Sequence, residues 1–257
     1  MDLFRLDGQT ALVTGGSRGI GRAIALQMAK AGASVIINGR KAAPCEAVVT
    51  EIRTAGGEAK ALPFNISKPE DATALAHASV QAFGKVDIFV GNAAANPHFG
   101  PVLDVEPAAF DKIIETNIKA NLLICQALIP AMSDRQGGCV IFVTSIAGLQ
   151  ASDGLGIYGM SKAAEAALMR NLAAEHGPSG VRVNCIAPGL VKTDFARALW
   201  EDPEKLEKTT SAYPLRRMGT PDEVAGAAIW LASPAGGFVT GQTIVVDGGV
   251  SIVGKRA

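Results

Sequence analysis

Short, nearly continuous apolar runs alternate with helical patterns along almost the whole chain. Thr10-Ala-Leu-Val-Thr14 ends at glycines and is followed by Ile20, Ala23, Ile24 and Met28 at helical spacing, which predicts strand, tight turn and helix. Ser34 to Ile37 completes a βαβ unit, and further strands are expected at 59–64, 86–91, 139–145, 181–187 and 243–246. Strands apolar on both faces must be covered on both, so the predicted fold is α/β, a doubly wound parallel sheet in a single domain, 1–257. Two helix starts carry capping-box patterns, Ser67 with Glu70 and Thr220 with Glu223, the second with Pro221 at the first helical position. Only Leu190 to Arg217 breaks the rhythm, with aromatic and charged residues where a simple crossover would suffice.

Composition narrows the function class. The 24 Lys and Arg balance the 24 Asp and Glu, so no net field recruits nucleic acid or an anionic membrane surface, and a small molecule is the expected partner. No apolar run is long enough to span a bilayer, and neither a signal peptide nor a peroxisomal address is expected at the ends. Cys45, Cys125, Cys139 and Cys185 are scattered without a C-x-x-C pair, which suits reduced thiols in a cytoplasmic protein. His77, His98 and His176 are too dispersed in the pattern to suggest a metal site.

The first strand-to-helix turn reads Thr14-Gly15-Gly16-Ser17-Arg18-Gly19-Ile20-Gly21. Glycines there let main-chain amides approach a pyrophosphate, and the positive end of the helix favours its charge. The spacing is G-x-x-x-G-x-G, and no Gly-Lys-Ser/Thr follows as in a Walker loop; the glycines alone also suit an ordinary tight turn. An acid at the tip of the second strand would bind the adenosine ribose of NAD. The tip here is Asn38-Gly39-Arg40-Lys41, so Arg40, with Lys41 and Arg18 nearby, favours the 2′-phosphate of NADP(H) over NAD(H). A solvated loop is the plainer reading of the same cations.

Tyr158 and Lys162 stand four apart on a predicted helix, on one face, and Ser145 lies thirteen residues upstream of the tyrosine. A free phenol has a pKa of about 10, and a neighbouring ammonium stabilises its phenolate. Such a phenol can protonate a ketone oxygen, or take the proton back in alcohol oxidation, while Ser145 hydrogen-bonds that oxygen. Taken alone, Y-x-x-x-K more readily describes a partly exposed helix face.

Together these segments resemble the short-chain dehydrogenase/reductase family, and the resemblance covers nearly the whole chain. Thr14 to Gly21 is similar to its T-G-x-x-x-G-x-G, Tyr158 to Lys162 to its Y-x-x-x-K, and Pro188-Gly189-Leu190-Val191-Lys192-Thr193 to its P-G-x-x-x-T. Gly91 to Gly100 and Ala187 to Trp200 look, more narrowly, like its NADP-dependent carbonyl and retinal reductases. The resemblance implies a Rossmann fold, a homotetramer, and catalytic roles for Asn117, Ser145, Tyr158 and Lys162. Asn117 would there hold a water that relays protons to Lys162, although a satisfied structural amide explains it as well. Expected cofactor contacts are Gly15, Ser17, Arg18, Gly19, Ile20, Gly21, Arg40, Lys41, Asn65, Ile66, Asn92, Ala93, Ala94, Tyr158, Lys162, Pro188, Gly189, Val191 and Thr193. Two departures stand out: the family's N-N-A-G reads Gly91-Asn92-Ala93-Ala94, and Asn65 stands where an aspartate is usual.

The expected substrate wall combines His98 and Phe99, Ser145 with the stretch to Leu155, and a lid at about 190–217 carrying Phe195, Leu199, Trp200 and Tyr213. Bulky apolar groups with few charges favour a hydrophobic or aryl ketone, although either lid aromatic could simply pack the lid onto the body. Two other functions fit the sequence. One is a 3-oxoacyl-thioester (acyl carrier protein) reductase; the other is a non-enzymatic dinucleotide-sensing interaction protein, against which the intact Ser145, Tyr158 and Lys162 speak.

Overall fold

A computed structural model describes residues 2–253; the side chains of Arg197, Ala198, Leu199, Pro203 and Lys205 lie outside the described set, so the expectation for Leu199 falls there too. Seven strands form one parallel sheet: β1 (Thr10–Val13), β2 (Ser34–Asn38), β3 (Ala59–Leu62), β4 (Ile88–Gly91), β5 (Gly138–Val143), β6 (Val181–Pro188) and β7 (Thr243–Val246). Their order is β3-β2-β1-β4-β5-β6-β7, the doubly wound arrangement, so the predicted fold class holds. Leu12 in β1 aligns with Ile36 in β2 and Phe89 in β4, and all three are fully buried.

Helices cover both faces. On one lie α1 (Gly19–Lys30), α2 (Ala42–Thr54) and α8 (Pro221–Ala232), packed on Val13, Val35, Ile37, Val90 and Ile141. The other carries α3 (Pro69–Phe83), α5 (Ala120–Asp134) and α6 (Gly156–His176), over Leu12, Ile36, Phe89 and Phe142. The helix α4 (Pro107–Ile113) enters α5 through a π-helical segment, Ile114–Lys119. Between β6 and α8 the chain makes a 3₁₀ turn, Asp194–Leu199, and a short helix, α7 (Pro203–Thr210).

Several element boundaries differ from the sequence expectation for local reasons. β3 stops at Leu62 because Pro63 has no N–H to offer the ladder. β2 runs one residue further, to Asn38, whose buried amide donates to the Leu62 and Phe64 carbonyls at 3.0 and 3.2 Å. The Thr220 capping box is present: Thr220 Oγ1 accepts from Glu223 N at 3.4 Å and Glu223 Oε2 from Thr220 N at 2.8 Å. The Ser67 box is not formed. Pro69 occupies the first helical position, which makes Lys68 the N-cap and leaves Ser67 outside, donating to Asn65 Oδ1 at 2.9 Å.

Candidate active site

In a sheet of this order the chain reverses direction between β1 and β4, and ligands bind beyond the carboxyl ends of the strands at that point. All the sequence-predicted site residues lie along this edge or in the connections leaving it. Gly15, Ser17, Arg18, Gly19, Ile20 and Gly21 follow β1; Arg40 and Lys41 follow β2; Asn65 and Ile66 follow β3; Asn92, Ala93 and Ala94 follow β4. Ser145 leaves β5, Tyr158 and Lys162 lie in the first turns of α6, and Pro188, Gly189, Val191 and Thr193 end or follow β6.

The glycine turn is locked from below. Thr14 Oγ1 donates to the Val90 carbonyl at 3.2 Å and accepts from the amides of Asn92 and Ala93 at 3.0 and 3.2 Å. Asn92 Nδ2 in turn donates to the Thr14 and Gly15 carbonyls at 2.9 and 3.3 Å. A Cβ on Gly21 would lie 2.4 Å from both Asn92 Nδ2 and the Gly15 carbonyl, and Gly15 has a φ of 63°, so glycine is required at both. The turn thus fits a pyrophosphate: α1 starts without a side-chain cap, leaving its first amides for an anion. The β2 tip abuts this turn. Gly16 N donates to the Asn38 carbonyl at 2.9 Å, and a Cβ on Gly39 would approach Ser17 Oγ to 3.1 Å. Arg18, Arg40 and Lys41 are exposed beside it and form no ion pair among the described residues. Ile66 and Val191 are 5% exposed, so their side chains belong to the core.

Around the phenol, Ser145 is the N-cap of a 3₁₀ turn, and its Oγ accepts from Ala147 N at 3.1 Å. That uses a lone pair and leaves the hydroxyl proton for a ligand or for Tyr158. Burial and the Glu165 carboxylate push the half-buried Tyr158 phenol up, while the Lys162 charge and the Ser145 hydroxyl pull it down; the phenol sits above its ordinary value. Lys162 Nζ sits 5.6 Å from the Tyr158 ring centroid and donates to the Val143 carbonyl at 3.0 Å, and the residue is 1% exposed. Burial alone would lower the ammonium, but Glu165 together with Tyr158 reverses this and holds it above its ordinary value.

Asn117 lies in the π-helical segment, fully buried, and its amide is satisfied on every side. Oδ1 accepts from Ala95 N at 2.8 Å, and Nδ2 donates to the Ala95 carbonyl at 3.1 Å and to Ser161 Oγ at 2.9 Å. Its side chain therefore clamps the β4–α4 connection to α6. Sequence reasoning missed three neighbours: Asn121, Ser161 and Glu165, all fully buried. An acid three residues after a helical lysine reads as an exposed surface pair, and nothing in the pattern marks this one as internal.

On the substrate side, Phe99 packs over Gly154, whose added Cβ would meet the ring at 2.9 Å, and Gly100 N donates to the Gly154 carbonyl at 3.1 Å. His98 contacts the Pro101 carbonyl at 2.9 Å, and Leu155 is the N-cap of α6. Phe195 is 57% exposed, its ring 6.1 Å from that of Tyr158. Trp200 is turned back on its own segment, donating to the Thr193 carbonyl at 2.9 Å with Lys192 against its ring at 5.4 Å. Tyr213 is not a wall residue: it is 6% exposed, and its oxygen accepts from Leu190 N at 3.1 Å, bracing the segment from beneath.

Known proteins are similar to this chain in sequence and in fold. A family model described as enoyl-(acyl carrier protein) reductase matches residues 15–251. Dehydrogenase/reductase SDR family member 4 of Bos taurus is 41% identical over 244 residues, 95% of this chain and 88% of that protein. A 7α-hydroxysteroid dehydrogenase complexed with NADH and 7-oxo glycochenodeoxycholic acid superimposes with a TM-score of 0.91 at 38% identity, covering 96% of each chain. A gluconate 5-dehydrogenase from Burkholderia cenocepacia, in complex with NADP and tartrate, gives 0.94 at 32% identity, covering 98% of this chain and 99% of that one. The chain belongs to the short-chain dehydrogenase/reductase family. It is an oxidoreductase acting on CH–OH or C=O groups.

Proposed function

We propose that the protein is an NADP(H)-dependent carbonyl reductase, reversible as an alcohol dehydrogenase, acting on hydrophobic or aryl ketones. The observation that carries this reading is the meeting of Tyr158, Lys162 and Ser145 beside a glycine turn at the sheet's switch point. Gly15 to Gly21 and the start of α1 would hold the pyrophosphate, Arg18 and Arg40 the 2′-phosphate, and Pro188 to Thr193 the nicotinamide end. When bound, the dinucleotide supplies or accepts a hydride.

This chain's own residues handle the proton and the orientation. Tyr158 donates its phenolic proton to the carbonyl oxygen in reduction and recovers it in oxidation. Ser145 donates to the same oxygen and stabilises the charge developing there. Lys162 supplies the positive charge that makes the phenolate accessible, and Asn117 holds the α6 face in place through Ser161. Phe99, Leu155 and Phe195 offer apolar contact to the substrate, and residues 190–217 act as its lid. Apolar side chains on two surfaces support a homotetramer: Leu103, Phe110, Leu122, Leu149 and Met160 on the helical side, and Phe238, Val245 and Ile252 around the β7 edge. Four buried, unpaired thiols suit a reducing cytoplasm.

The test is NADPH and NADH consumption with a panel of aryl ketones, aliphatic ketones and acetoacetyl thioesters, for the wild type and Arg40→Ala. Turnover with ketones, faster with NADPH and losing that preference in the variant, supports the reading. Preference for the thioester turns it towards acyl-chain reduction, and preference for NADH removes the role given to Arg40.

A further inference from the structure

Behind the acid/base pair lies a carboxylate that the reaction does not require. Glu165 is fully buried one turn beyond Lys162, and its Oε2 lies 2.7 Å from Lys162 Nζ. Its other oxygen, Oε1, accepts from Asn121 Nδ2 at 2.9 Å, and the same Nδ2 donates to the Asn117 carbonyl at 2.9 Å. Asn121 has room because residue 91 is glycine: a Cβ there would sit 2.7 Å from Asn121 Oδ1 and 2.8 Å from the Phe142 ring. Gly91, Asn121 and Glu165 therefore form one construction.

Resting on the reductase reading above, we propose that Glu165 is a positioning residue for the acid/base pair: seated by Asn121 beside Gly91, it holds the Lys162 ammonium and offsets part of its charge, so that Tyr158 stays a proton donor into the alkaline range. Two opposite charges in contact act on a third group as a dipole, much more weakly than the bare ammonium would. The titratable groups facing Glu165 are Lys162 and Tyr158 on its own helix and the Cys185 thiol on β6; Asn121 from α5 is uncharged. Arg170, further along α6, also acts on Cys185. Burial pushes Glu165 up to about 7, against the pull of Lys162 and Asn121, so it is ionised where a phenol titrates. Cys185 is pushed well above the ordinary thiol range by burial and stays neutral there.

Glu165→Gln keeps the shape and an oxygen towards Asn121 Nδ2, removes the charge, and replaces the oxygen facing Lys162 by an amide NH2. The chain has two tyrosines, so the phenolate absorbance of Tyr158 can be titrated by difference against Tyr158→Phe, without cofactor or turnover. The expected result is a Tyr158 midpoint about one pH unit lower in Glu165→Gln, close to a tenfold change in proton affinity. The alkaline limb of kcat/KM for ketone reduction should move with it, while NADPH affinity stays within about twofold. Asn121→Leu, which removes the donor that seats Glu165 beside Lys162, should shift the same midpoint in the same direction by less, and it decides the matter if Glu165→Gln does not fold. Superimposable titrations, or a midpoint that rises, would overturn the proposal. A purely structural Glu165 would alter thermal stability and leave both pH curves in place. Absence of any ketone or alcohol turnover in the wild type would defeat the reductase reading alone, since the phenol titration still reads Glu165.

Discussion

The two sides of the cleft are built in opposite ways. On the cofactor side, Thr14, Asn92 and Asn117 are polar side chains whose hydrogen bonds tie one strand end or helix to another. On the substrate side, several bonds of the segment after β6 among the described residues stay within it: Trp200 to Thr193, Lys192 to Trp200, Thr210 to Leu206. Buried networks that join elements hold geometry tightly, and segments held by their own contacts open at low cost. The groups proposed for catalysis belong to the first kind and the proposed substrate wall to the second, so changes on the two sides should separate into losses of stability and chemistry on one and changes in substrate affinity on the other.

The largest departure should come from Lys162→Met, which leaves Glu165 buried without its counter-charge. Thermal or urea unfolding should register a loss of about 3–5 kcal/mol, much of it recovered in the Lys162→Met/Glu165→Gln double variant. Full additivity of the two would show that they do not act as a pair.

Acid should stabilise the same region. The folded Glu165 titrates near about 7 against an ordinary value of 4.5, so folding favours its protonated form. That contribution is fully present below the ordinary value and is lost as pH rises through about 7, each pH unit between the two values corresponding to about 1.4 kcal/mol. Melting temperature followed across this window should fall with rising pH in the wild type, and the fall should flatten in Glu165→Gln. Parallel curves would contradict the assignment.

Gly21→Ala sharpens the cofactor side. The added methyl would overlap the Gly15 carbonyl and Asn92 Nδ2, which cannot both move without breaking the lock on the turn. A destabilisation of about 1–3 kcal/mol is expected, with NADPH affinity lost beyond proportion. Phe195→Ala is the contrasting case: an exposed ring against Tyr158 should raise KM for bulky ketones several-fold and change stability by less than about 0.5 kcal/mol. Equal effects of these two variants on stability and KM would dissolve the comparison.

Legibility in the sequence follows the same division. The strands, the glycine turn and the Tyr158–Lys162 spacing could be read because each depends on local pattern: apolar runs, glycines at a turn, four residues on a helix. Strand ends went astray where a single local fact decided them, as at Pro63, and the Ser67 cap failed because Pro69 moved the helix start. Tyr213 was read as wall because an aromatic in an irregular segment gives no sign of which way it faces. Glu165 and Asn121 could not be found at all. Their meaning lies in the space beside Gly91, which only packing between β4, α5 and α6 reveals.

On the proposed reading, Tyr158 moves the proton at a site that holds NADP(H). The most direct measurement is kcat/KM for NADPH-dependent ketone reduction by the wild type and Tyr158→Phe, with NADPH affinity measured on the same samples. A loss of at least about a hundredfold in turnover is expected, with affinity nearly unchanged. A Tyr158→Phe enzyme that reduces ketones at close to the wild-type rate would contradict it.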